Sequence, residues 1–70
     1  MTNNLFGKIL RQLREERNIS QSTLGKILGF CNQTVSCWES GKREPDLDTL
    51  VEIAKYLEVT VDFLLGISDC

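Results

Sequence analysis

The stretch Asn32-Gln33-Thr34-Val35-Ser36-Cys37-Trp38-Glu39-Ser40 is unusual in what it leaves at a surface. Val35 and Trp38 lie three apart and share one face of a helix. Asn32, Gln33, Ser36, Cys37 and Ser40 recur at i, i+1, i+4, i+5 and i+8 and share the opposite face. An ordinary solvated helix face is rich in Lys and Glu. This one carries short donors and acceptors. Gly41 then ends the helix, and Lys42 and Arg43 add two cations ahead of Pro45. Such a set suits a ligand that is both anionic and rich in hydrogen-bonding edges. The DNA major groove has that chemistry. Asn and Gln can pair bidentately with adenine at N6 and N7, Ser can donate or accept, and Lys and Arg suit phosphates.

Other chemistries lack their parts. A cysteine nucleophile wants a base, usually histidine, and the chain has none. No phosphate-cradling glycine loop occurs, so no catalytic residue is expected and the chain does not read as an enzyme. Cys31, Cys37 and Cys70 show no C-x-x-C spacing. A structural zinc site would need a carboxylate as its fourth ligand, which is unusual. Reduced thiols, no metal, no cofactor and no small-molecule substrate are the expectation.

The elements that must position these residues are helical. Seventy residues make one domain, 1–70, with its core within about 5–66. Phe6, Ile9, Leu10 and Leu13 predict an amphipathic helix over 5–17, with Asn18 at its end. Ser20 caps a second helix over about 21–28, with Leu24, Ile27 and Leu28 apolar and Gly29 as the stop. The third covers 32–40. Asp46 caps a fourth, whose expected buried stripe is Leu47, Leu50, Val51, Ile53, Ala54 and Leu57. Thr60 caps a short fifth helix through Leu65, closed by Gly66. No strand-like alternation of useful length occurs. The expectation is an all-α, compact five-helix bundle. Leu24, Gly29, Val35 and Trp38 outline two short helices meeting at a tight turn, the pattern of a helix-turn-helix.

The net charge of −2 hides an asymmetry. Residues 1–43 carry seven basic and three acidic residues, a net of +4, whereas residues 44–70 carry one basic and seven acidic, a net of −6. A molecule of this kind can turn one face to phosphate and the other away. No apolar run approaches 18 residues, so no membrane is expected as a partner. The N-terminus lacks a basic segment followed by a long apolar stretch, so a cytoplasmic protein, at the nucleoid when bound to DNA, is the default.

Taken in order, Leu13-Arg14, Ser20-Gln21, Leu24, Leu28-Gly29, Val35-Ser36, Trp38-Glu39, Gly41-Lys42, Pro45, Leu50, Ile53-Ala54, Leu57 and Val61-Asp62 through Leu65 resemble the Cro/repressor type of helix-turn-helix domain of phage and bacterial regulators, also known as the lambda-repressor-like or XRE family. The resemblance covers roughly residues 5–66. It implies a double-stranded DNA-binding transcriptional regulator, a repressor above all, that reads the major groove with helix 32–40. By position, Asn32, Gln33, Ser36 and Cys37 would face base edges. Gln21, Thr34, Ser40, Lys42 and Arg43 would meet the phosphate backbone. Arg14 and Glu39 would form an internal ion pair. The implied partner is a pseudo-palindromic operator, bound by a homodimer that is weak in solution and pairs through the C-terminal helix and its flanks.

Four positions depart from the family pattern. Gly25 stands where alanine is usual and should weaken the second helix by up to about 1 kcal/mol. Thr23 replaces the acidic partner of a capping box begun by Ser20. Cys31 replaces a Ser or Thr N-cap, and a thiol accepts hydrogen bonds poorly. Cys37 is too short to reach far, which limits its base to apolar contact or none. A different class of function, a protein-interaction module such as an antitoxin or a regulator docking on a protein partner, would be favoured by an exposed apolar patch around Phe63 and Ile67.

Overall fold

The computed structural model describes residues 5–67. Residues 1–4 and 68–70, Cys70 and the last three residues of the expected pairing segment among them, lie outside the described residues. Five helices follow one another: α1 (Leu5–Glu16), α2 (Gln21–Leu28), α3 (Asn32–Ser40), α4 (Leu47–Leu57) and α5 (Val61–Leu65). The start and stop residues act as their chemistry dictates. Ser20, Asp46 and Thr60 each accept a hydrogen bond from the backbone N–H three residues on, at 3.0, 2.8 and 3.0 Å. Asn18 turns the chain after α1 with φ of 57°, a left-handed conformation that asparagine tolerates. Gly29 and Gly41 close α2 and α3 at φ of 86° and 84°. Thr23 completes a modified box, its hydroxyl accepting from Ser20 Oγ at 3.0 Å.

The core is Phe6, Leu10, Leu13, Leu24, Val35, Trp38, Leu50, Ile53, Ala54, Leu57 and Leu64. Two residues of the expected α4 stripe are not buried: Val51 is 41% exposed and Leu47 80%; Ile27, an apolar residue of α2, is 47% exposed. At about 100° per residue, Val51 lies roughly 110° from the axis of the buried face defined by Leu50, Ile53, Ala54 and Leu57. Leu47 opens the first turn of α4 and lies outside the core cluster.

Gly25 has a use that its low helix propensity does not show. A Cβ there would lie 2.5 Å from the Phe30 carbonyl oxygen and 3.3 Å from Cys31 carbonyl carbon. The same turn is closed by Phe30 N–H donating to the Gly25 carbonyl at 2.7 Å. The missing side chain is therefore what lets the α2–α3 turn fold back this tightly. The propensity loss remains, but it is offset by a close approach that alanine would obstruct.

Candidate nucleic-acid interface

The α3 helix packs chiefly against α2 and α1. Val35 and Trp38 anchor it in the core. Phe30, just before the helix, sets its ring edge-on to Trp38 with centroids 5.2 Å apart and planes at 72°. The C-terminal end of α3 is held by charge. Glu39 Oε2 accepts from Arg14 Nε at 2.7 Å, and Oε1 accepts from Arg14 Nη2 at 3.2 Å. Arg14 Nη1 donates to the Ile19 carbonyl at 2.8 Å, and Gln21 Nε2 donates to Glu39 Oε1 at 3.1 Å. The Arg14–Glu39 pair thus ties α1, the α1–α2 turn, the first residue of α2 and α3. The Arg14 and Glu39 side chains are only 12% and 6% exposed, so this pair is largely withdrawn from water. The hydrogen bonds to Glu39 raise the pKa of Arg14, the charges of Glu39 and Glu15 add to this, and burial opposes it.

With its inner side fixed, α3 turns the expected set outward. Asn32, Gln33 and Ser36 are exposed, and their side chains make no hydrogen bond to any described residue. Cys37 is half-buried on the same face. Lys42 and Arg43 follow, exposed, in a turn whose N–H groups donate to the Cys37 carbonyl at 3.0 and 3.3 Å. Two expected backbone-contacting residues are partly committed. The Ser40 hydroxyl donates back to the Cys37 carbonyl at 3.2 Å, and one Gln21 amide hydrogen is taken by Glu39. Thr34 is half-buried and lines a cleft of about 180 Å³ with Arg43, Phe30 and Trp38.

Cys31 occupies the N-cap position without a side-chain cap hydrogen bond. Its sulfur lies 3.3 Å from Thr34 Oγ1. Hydrogen bonding by the Thr34 side chain, and then by its backbone, lowers the thiol pKa. Phe30 went unnoticed in the sequence. Its signal was its place immediately before the N-cap, where an apolar residue fixes the entry of the chain into a helix. Near the C-terminal end of the described residues Ile67 is 71% exposed, and a hollow of about 410 Å³ is lined by Glu58, Val59, Thr60 and Phe63. Among the described residues, no helix is long and apolar enough to cross a membrane.

A family profile described as helix-turn-helix matches residues 10–64, which takes in every residue of α2, α3 and α4 and the ion pair between Arg14 and Glu39. The chain belongs to the helix-turn-helix family. Within that family it is 35% identical over 65 residues to Repressor protein C2 of Salmonella phage P22, covering 93% of this chain and 30% of that protein. It is 39% identical over 61 residues to the SPbeta prophage-derived uncharacterized HTH-type transcriptional regulator YonR of Bacillus subtilis, covering 87% of this chain and 56% of that one. Against the HTH-type transcriptional activator BcrR of Enterococcus faecalis it is 40% identical, covering 87% and 30%. The chain therefore spans little more than half, or less, of the length of these curated relatives. The crystal structure of the P22 c2 repressor in complex with synthetic operator 9T superposes with a TM-score of 0.84 at 33% identity, covering 90% of this helix-turn-helix chain and 96% of that one.

Proposed function

We propose that the chain is a sequence-specific double-stranded DNA-binding transcriptional regulator that lays α3 in the major groove. The observation that carries this reading is the outer face of α3. Asn32, Gln33 and Ser36 keep their hydrogen-bonding groups uncommitted on a helix whose inner side is rigidly held. A solvated face gains nothing from that arrangement, whereas base edges require it. Asn32 and Gln33 read bases, Ser36 donates or accepts, and Cys37 offers only a small apolar contact. Lys42 and Arg43, with Gln21, Thr34 and Ser40, meet the sugar–phosphate backbone and set the register. Arg14 and Glu39 hold the angle of α3 and touch no base.

The likeness to a repressor solved on its operator supports this reading. Bound over a promoter, the domain represses by occupancy. Two copies bind a pseudo-palindromic operator, pairing through α5 and its flanks, where Ile67 and the hollow beside Phe63 supply an apolar surface. The protein works in the cytoplasm, at the nucleoid.

Selection of bound sites from a random duplex pool tests the proposal. The expected result is a two-fold motif with half-sites about 10–10.5 bp apart, centre to centre. Affinity for it should exceed that for random duplex by at least roughly 10³-fold and fall steeply with salt. Recovery of no motif, with binding that ignores salt, would refute it and favour a protein partner.

A further inference from the structure

We propose that Glu39, besides closing the ion pair with Arg14, is a positioning residue for DNA docking: it fixes the Gln21 carboxamide before the phosphate backbone arrives. The inference rests on the DNA-binding reading and deepens it. Gln21 opens α2 and is half-buried, and its Nε2 lies 3.1 Å from Glu39 Oε1. An ionised carboxylate only accepts hydrogen bonds. The amide must therefore turn its nitrogen, not its oxygen, toward Glu39. A bond to a charged acceptor is also among the stronger kinds. One N–H is spent on Glu39, and the other is left in a fixed direction.

The carboxylate would repel a phosphate if it stood alone. It does not, because Arg14 makes two hydrogen bonds to it, at 2.7 and 3.2 Å, and cancels its charge. The approaching backbone meets a neutral group with an oriented donor. Ordering a rotamer-rich side chain at an interface weakens binding, and a side chain ordered in advance avoids that loss. The gain expected from one such side chain is roughly two- to tenfold in affinity.

A double-mutant cycle on duplex affinity tests this, using wild type, Gln21→Ala, Glu39→Gln and the pair together. Glu39→Gln can offer either its oxygen or its nitrogen to Gln21, so the orientation is lost. It also adds one net positive charge, but that effect is common to both backgrounds and cancels in the cycle. The expected result is that Glu39→Gln is roughly two- to tenfold more harmful when Gln21 is present than in the Gln21→Ala background. Equal effects in both backgrounds would overturn the inference, since a purely structural role for Glu39 would act without regard to Gln21.

A second measurement does not depend on any variant folding. Nitrogen relaxation of the side-chain amides in the free wild-type domain should show Gln21 ordered and the exposed Gln33 mobile. Equal mobility of the two would overturn the proposal. Failure of the wild type to bind any duplex would instead remove the DNA-binding reading and this inference with it.

Discussion

Replacing Arg14 by methionine tests what holds α3 in place. The substitution keeps most of the aliphatic stem and removes three donated hydrogen bonds, two to Glu39 and one to the Ile19 carbonyl. The Glu39 side chain is 6% exposed and would keep Gln21 as a partner, but no countercharge from Arg14. Breaking a buried pair from one side costs about 3–5 kcal/mol, because the remaining charge is stranded. The surviving Gln21 bond and the slight exposure put the expected loss near the low end, about 3 kcal/mol. Net stability for 70 residues is on the order of 3.5–10 kcal/mol. The loss is therefore a large share of the whole. Thermal melts should fall by roughly 12 °C or more, with urea melts giving the free energy directly. A second variant separates stranded charge from lost packing. Arg14→Met combined with Glu39→Leu removes both charges and should recover most of the loss, since apolar replacement of a whole buried pair is often neutral or better. The reasoning fails if the single variant melts within about 1 kcal/mol of wild type, or if the double variant is no more stable than the single.

Gly25→Ala should destabilise the domain by on the order of 1 kcal/mol or more in urea melts, although alanine is the better helix former, because overpacking against the Phe30 carbonyl outweighs propensity. Gln33→Ala should cost about 1–3 kcal/mol on the selected site and little on random duplex, whereas Arg43→Ala should weaken both alike and lower the salt slope by about 1; a uniform loss for Gln33→Ala removes it from base readout. Asp46→Asn should melt close to wild type at neutral pH but diverge in acid. Hydrogen bonding from the Thr49 side chain, then its backbone, holds the Asp46 pKa below its ordinary value. A folded value below the unfolded one means the carboxylate's contribution is complete above about pH 4 and is lost as pH falls through the depressed folded value. Melts of the two proteins from pH 7 to 2 should show wild type losing that contribution while the asparagine cap does not.

Helix boundaries were legible because the chain punctuates itself. Ser20, Asp46, Thr60, Asn18, Gly29, Gly41 and Gly66 are local signals, and each acts through groups within a few residues. What is local can be read in one dimension. Burial at the edges could not. Helical period already turns Val51 well off the buried face of α4, but it does not mark where the neighbouring layer ends, and Leu47 and Ile27 are left uncovered. The use of Gly25 was hidden for a related reason. Its propensity cost is a property of one residue, while its use depends on a carbonyl five residues away in a turn whose depth only the fold sets. The bond from Gln21 to Glu39 spans 18 residues and joins two helices, and no spacing rule reaches that far.

The outer face of α3 was legible by contrast with what surfaces usually carry, and the structure supplies the reason such a face is tolerable. The helix has nine residues, no side-chain cap at Cys31 and no acidic residue in its first turn, so its local signals are weak. Isolated helices of this length are marginal in water. What stabilises this one lies on the other side: Val35 and Trp38 in the core, Phe30 against Trp38, and Glu39 in the ion pair. None of those contacts uses Asn32, Gln33 or Ser36. The stability of the helix is thus nearly independent of the residues it presents, since surface substitutions away from caps and networks usually stay within about 0.5 kcal/mol. A face freed from structural duty can change its hydrogen-bonding pattern without unfolding its support. For a helix that reads bases, that independence lets the preferred sequence change while the docking geometry stays the same.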